Sequence, residues 1–258
     1  MTPADLVLAG LAAFAAGGVN ALAGGGTLLS FPMLLALGVP PVSANVTNTV
    51  SLSPGYFGGT LAQRDDLRGQ RRRLYVLMPV AAVGGLIGGA LLLNTPDRVF
   101  EVLVPILIVI AVAVLALGDR VKRRVAQRMS HAHGAAEELV RPAIGIFLAA
   151  IYGGYFGGGL GIIVLAVLGI VLIDTMTRLN ALKQCTSLVV NACAALFFLT
   201  SGHVVWSAAA VMCVAALVGG FSGGRIAHRV SAATLQRIVL AIGVLVAVGY
   251  TINLVVPD

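Results

Sequence analysis

Charge is what this sequence has least of. Of its 258 residues, 17 are Lys or Arg and 10 are Asp or Glu, so charged residues make up 10%, against about 25% in ordinary soluble domains. A water-exposed domain surface cannot be built from so little charge. Carboxylates are missing from the middle of every long apolar run: Asp5, Asp65, Asp66, Asp97, Glu101, Asp119, Glu137, Glu138, Asp174 and Asp258 all fall in polar breaks or near segment ends. No acid is therefore placed to carry protons through such a run. Cysteine is sparse too. Cys185, Cys193 and Cys213 lie in apolar segments and form no CxxC pair, which excludes a disulfide framework and a zinc site and leaves them as packing residues. His131 and His133 stand in a polar loop without further ligands nearby, so neither a metal nor another cofactor is expected. The arginines sit in short loops with no interleaved aromatics, so the net charge of +7 does not indicate nucleic acid.

What the chain has instead is apolar length. Hydrophobic residues reach 59%, and stretch after stretch approaches the ~20 residues a helix needs to cross the hydrocarbon core. The expectation is an all-α, polytopic integral membrane protein of the bacterial-type plasma membrane, with 8–10 transmembrane or half-spanning helices and lipid as its solvent. Most of the 32 glycines lie inside the apolar segments, where small residues let helices approach closely. Residues 4–22 resemble a signal-peptide core, with Ala21-Leu22 before a small residue. The stretch before it carries Asp5 and no Lys or Arg, however, and the second half has a counterpart, so the segment reads as part of the mature fold.

The chain is duplicated. Gly84, Gly85, Gly88 and Gly89 match Gly219, Gly220, Gly223 and Gly224 at a constant offset of 135. Gly24, Gly25 and Gly26 are echoed by Gly157, Gly158 and Gly159, and Ser51-Leu52 by Ser187-Leu188. Two repeats follow, at 1–117 and 142–258, joined by a basic linker at 118–141. Each holds five apolar segments: 4–22, 26–38, 43–61, 74–93 and 98–117, then 142–157, 159–173, 178–200, 204–224 and 233–254. The second of each set is too short to span fully, which suggests a half-helix. Arg64, Arg68, Arg71, Arg72 and Arg73 in one loop, and Arg120, Lys122, Arg123, Arg124, Arg128 and Arg141 in another, place both loops in the cytoplasm. The turn at 94–98 carries only Arg98, whereas its counterpart carries Arg225 and Arg229. Equivalent turns thus face opposite sides, and the repeats are expected to be inverted, as in many secondary transporters.

In such proteins interrupted helices present free backbone groups near the midplane. Gly24 to Gly26 and Gly157 to Gly159 are the candidate breaks, and the helix after each would aim N–H groups and a positive dipole end at an anion. Close packing is the competing explanation. The third segment of each copy carries an unusual polar load, Ser43, Asn45, Thr47, Asn48, Thr49 and Ser51 in one and Asn180, Lys183, Gln184, Thr186, Ser187 and Asn191 in the other. Asn180, Gln184, Ser187 and Asn191 share one helical face, with Asn48 and Ser51 among the equivalent positions. They either line a shared cavity or hydrogen-bond between helices. Lys183 is an ionisable group inside a membrane segment, and either faces a polar path or snorkels to the cytoplasmic surface. Arg178 reads as an interfacial anchor. A pathway with a lysine and no acid suits a small anion.

The residues GGGTLLSFPMLLALGVPPVSANVTN at 24–48, their echo GGGLGIIVLAVLGIVLIDTMTRLNALKQ at 157–184, and the GGxxGG helices resemble the sulfite exporter TauE/SafE family. The resemblance spans nearly the whole chain. It implies a transporter of sulfite, a sulfonate or a related organic anion, with Gly24 to Gly26, Pro32, Asn45, Thr47, Asn48, Gly157 to Gly159, Lys183, Gln184 and Thr186 at or near the site. The second copy departs from the first in lacking a counterpart of Pro32. A membrane enzyme would need a nucleophile with a base or paired acids in the bilayer, and none is evident, His203 and His228 lying near segment ends and far from any acid pair. An accessory subunit would need a larger loop or tail. Homo-oligomerisation is compatible with the sequence.

Overall fold

The computed structural model describes residues 1–22, 24–129 and 139–226. Among these the chain forms α1 (Pro3–Leu22), α2 (Thr27–Ala36), α3 (Pro41–Ala62), a 3-10 turn (Arg64–Leu67), α4 (Arg71–Leu93), α5 (Asp97–Met129), α6 (Val140–Tyr155), α7 (Leu160–Val171), α8 (Met176–Phe198) and α9 (Trp206–Ile226). The expected tenth segment, 233–254, lies outside the described residues, as do His131, His133, His228 and Arg229.

Five of these helices have the length and composition to cross a membrane: Pro3–Leu22, Arg71–Leu93, Asp97–Gly118, Met176–Phe198 and Trp206–Ile226. Helix α3 has the length, at 22 residues, but its asparagines, threonines and serines lower its hydropathy. Helices α2 and α7 are short, with 10 and 12 residues, so they rise only about 15 and 18 Å against a core of about 30 Å. Neither spans alone. Helix α5 runs past its apolar part to Met129, so the expected linker at 118–141 begins as helix. Its Arg, Lys, Ala and Gln are good helix formers, and no Gly or Pro after Gly118 interrupts them.

The interior inverts the soluble pattern. Val7, Leu11, Ile106, Val109, Leu148 and Val214 are exposed on the outer faces, while Asn20, Asn45, Asn48, Lys183 and Gln184 are buried. Glycines set the helix contacts, and they do so across the two halves. A Cβ on Gly85 of α4 would stand 2.6 Å from the Val190 carbonyl of α8, and one on Gly220 of α9 would collide with the Gly55 carbonyl of α3. Both members of the second pair stand 135 positions from those of the first. Gly84 meets Phe147 and Gly88 meets Ile151, just as Gly219 meets Phe14 and Gly223 meets Gly18. At the offset these contacts share, 135, Ser51 stands level with Thr186, whereas the sequence match pairs it with Ser187.

The two third-segment helices cross with opposite polarity. Asn180 Nδ2 donates to Gln63 Oε1 at 2.6 Å, and one turn further along α8 the Gln184 amide lies against Gly59, one turn back along α3.

Candidate functional site

The two glycine breaks form where expected, and the first packs on the opening turn of the helix that follows the second. Gly24 and Gly25 adopt φ of 75° and 107°, and Gly157 and Gly159 adopt 78° and 76°, a left-handed backbone that L side chains enter at a cost. Gly24 packs on Gly161 at the start of α7, so closely that a Cβ on either would lie 3.0 Å from the other's Cα. The first break is held by Asn20 of α1, whose Oδ1 accepts the Gly26 N–H at 2.7 Å. Tyr152 holds the second by donating its hydroxyl to the Gly158 carbonyl. Gly25, Gly158 and Gly159 turn toward Leu115, Ala111 and Val114 of α5, so their Cα faces meet apolar packing, while Gly24 meets Gly161 and Gly26 bonds Asn20.

The polar centre is built around Lys183, which is 1% exposed. Its Nζ donates to the Asn20 carbonyl at 3.2 Å, and its stem runs beside Gly161. Snorkelling to the surface is thereby ruled out: the ammonium points into the bundle, across the interface between halves. Among the described residues Lys183 is the only buried charged side chain. Buried polar atoms without a hydrogen-bond partner occur on Asn20 itself (Nδ2), on the adjoining Gln184 (both amide atoms) and on Ser187 one turn along α8 (Oγ), and elsewhere on Asn45 of α3 (Oδ1). Each such atom costs about 1–3 kcal/mol when left unsatisfied, which marks places where a polar ligand would be stabilising.

Other expected residues are already occupied. Ser51, Thr186 and Asn191 donate to carbonyls one turn back on their own helices, and Thr47 Oγ1 accepts the Val205 N–H at 2.9 Å. Asn48 accepts from Ser30 of α2. Asn45 Nδ2 donates to the Tyr155 carbonyl just before the second break, at 2.8 Å, as Asn180 Nδ2 donates to the Ala21 carbonyl just before the first, at 3.3 Å. These amides tie each third helix to the opposite half's break.

The sulfite exporter TauE/SafE family model matches residues 9–250. The chain belongs to this family. It is similar to a probable membrane transporter protein of Haemophilus influenzae, 26% identical over 217 residues, covering 82% of this chain and 81% of the relative. A probable membrane transporter protein, ORF9, of a Sinorhizobium species is 26% identical over 253 residues, covering 95% and 90%. The probable membrane transporter protein YfcA of Escherichia coli is 25% identical over 237 residues, covering 91% and 84%. No solved structure matches the chain. The chain is thus a membrane transporter of the TauE/SafE family and a multi-pass protein of the bacterial inner membrane.

In this family member the arginine-rich end carries a clasp of ion pairs between the halves that the sequence alone does not reveal. Arg178 was expected to anchor to the interface. Instead it pairs with Asp174 at 2.8 Å and donates to the Arg68 carbonyl at 2.9 Å. Arg73 pairs with Asp174 from the other half, and Gln70 Nε2 reaches the Arg178 carbonyl at 3.1 Å. Burial pushes the Asp174 carboxyl up, but hydrogen bonds from Arg178, Arg73 and the Thr175 N–H outweigh it and hold it below the usual carboxylate range. A depressed carboxylate contributes stability in full above its unfolded pKa of about 3.9 and loses it as pH falls through the lower folded value. Asp174→Asn should therefore lower the unfolding midpoint at pH 7, with the difference from the parent closing below about pH 4. Midpoints that stay apart in acid would remove the ionised carboxylate as the cause.

At the opposite end the fold corrects the expectation for His203. Folding brings it beside Asp97 and Glu101, with Ser43, around a pocket of ≈ 40 Å³. None of these four side chains hydrogen-bonds another. Asn20 was missed because one asparagine in an apolar helix was read with its surroundings, although its place six residues before Gly26 was visible.

Proposed function

We propose that the chain moves a small anion, with sulfite, a sulfonate or a related organic anion as the substrate class, and that it is not an enzyme. One observation carries the reading: the single buried charge among the described residues is cationic, reaches from one half to the other, and contacts Asn20, which, like Gln184 and Ser187 on the lysine's own helix, has a buried unpaired polar atom. Asn20 Nδ2, Gln184 Nε2 and Ser187 Oγ supply donors, and Lys183 supplies charge where few water molecules compete. The resemblance of the breaks to the family's motifs supports the same class. Flux into proteoliposomes of sulfite and small sulfonates, compared with sodium, potassium and neutral solutes, tests the reading. Transport of a cation with no anion transported or competing would overturn it.

The repeats are best read as inverted. Supporting this, Gly85 with Val190 and Gly220 with Gly55 are equivalent contacts exchanged between halves, and the equivalent helices α3 and α8 run antiparallel. An axis that exchanges antiparallel partners lies across them, in the membrane plane. Single cysteines at Asn94 and Arg229 should then react with an impermeant thiol reagent from opposite faces. Labelling from one face would sink the assignment.

A further inference from the structure

We infer that two grooves on the lipid-facing surface, both at the arginine-rich end, are binding sites for anionic phospholipid. The larger, ≈ 570 Å³, lies between α4 and α8, within the range of about 300–1,000 Å³ for small-molecule sites. Leu74, Tyr75, Met78 and Ala82 line it from one stripe of α4, Val189 closes it from α8, and Arg71 stands at its end. The smaller, ≈ 200 Å³, lies between the extended part of α5 and α7, lined by Val121, Val125, Ala166 and Ile170 together with Arg124. Two unrelated helix pairs thus repeat one arrangement: an apolar trough about as long as part of an acyl chain, ending on an arginine.

Charge decides the class of lipid. Arg68, Arg73 and Arg178 are engaged by Asp65 and Asp174. Arg71 and Arg124, both exposed, form no ion pair among the described residues. A guanidinium at the edge of an apolar trough is matched by a phosphate whose chain fills the trough. Tyr75, 80% exposed, sits one turn below Arg71, at the depth where amphipathic aromatic rings favour the headgroup region. A zwitterionic lipid has the same chain but carries an ammonium that offsets the match.

The test is native mass spectrometry of the full chain, delipidated in detergent and titrated with phosphatidylglycerol or phosphatidylcholine of identical chains. Two phosphatidylglycerols should be retained in preference to phosphatidylcholine. Arg71→Gln and Arg124→Gln should each weaken one of them by about fivefold, as expected for one surface arginine, leaving phosphatidylcholine unaffected. Met78→Trp should displace the lipid of the larger groove whatever its headgroup. Equal retention of the two lipids by the parent, or unchanged retention in both arginine variants, overturns the inference. Retention of phosphatidylglycerol in full by Met78→Trp places the lipid on the loop arginines and overturns the groove. A dimer that Met78→Trp dissociates, with lipid binding unaltered, assigns the groove to a second copy instead.

Discussion

Gly220→Val will leave the chain unable to form its folded bundle. A Cβ on Gly220 runs into the Gly55 carbonyl of α3, and its neighbour Gly219 is pressed in the same way on Phe14 of α1. The obstacle is backbone, so no rotamer change relieves it, and α9 would have to retreat from both helices it packs on. Overpacking of side chains costs about 1–3 kcal/mol. Moving a helix off two partners forfeits contacts along its whole length, which is comparable with a total stability of about 5–15 kcal/mol. Gly85→Val, the equivalent change in α4, should fail for the same reason against Val190. The matched control is Gly202→Ala, which meets nothing within 4 Å and bears only the strain of φ 76°, about 1–2 kcal/mol. Fluorescence-detected size exclusion separates the cases: aggregation for Gly220→Val and Gly85→Val, a symmetrical peak for Gly202→Ala. A monodisperse, transport-active Gly220→Val would mean that α9 does not sit against α3 as closely as described.

This interface was legible in the sequence because GGxxGG in an apolar helix serves close approach, and its recurrence at an offset of 135 is what points to a duplication. The glycine breaks were legible for a related reason, since three glycines in a row before an apolar run allow backbone angles that side chains resist. What those signals did not carry was direction. Nothing in the string Gly157-Gly158-Gly159 says that the last two turn toward α5 and that Gly24 alone faces Gly161. The polar residues of α3 and α8 were visible as a class, but which are already satisfied depends on their partners. Thr186 and Asn191 bond their own helix, while Gln184, on the same helix, has both amide atoms unpaired. The roles of Asn20 and Asp174 are hidden in the sequence because each acts on residues far away in it: Asn20 on Lys183, Asp174 on Arg73. The apolar part of α5 ends where its hydropathy falls, but the helix continues into the basic linker, since Lys and Arg favour helix about as well as Leu.

Replacing Lys183 by glutamine should weaken anion binding by about five- to thirtyfold, a loss of about 1–2 kcal/mol. Two unit charges 4 Å apart attract by about 4 kcal/mol at an effective dielectric of 20, and desolvation of the anion and lysine offsets much of that. The remainder is what the variant loses. Lys183→Arg keeps the charge but must fit a larger planar group where even a Cβ added at Gly161 would stand 3.6 Å from the lysine Cδ, so it should be poorly tolerated. Asn20→Ala gives a second view of the same centre. It removes the acceptor for the Gly26 N–H and the unpaired Nδ2 but leaves the backbone carbonyl that Lys183 contacts, so it should weaken binding while the lysine stays in place. A purely structural role for Lys183 leads to a different result: a lower unfolding midpoint for Lys183→Gln with the affinity of the folded fraction unaltered. Titrating sulfite and a small sulfonate against correctly inserted protein, with the midpoint measured in parallel, distinguishes them. An affinity equal to the parent's would leave the lysine as a helix tie between the halves and return the search for the anion's ligand to Gln184 and Ser187.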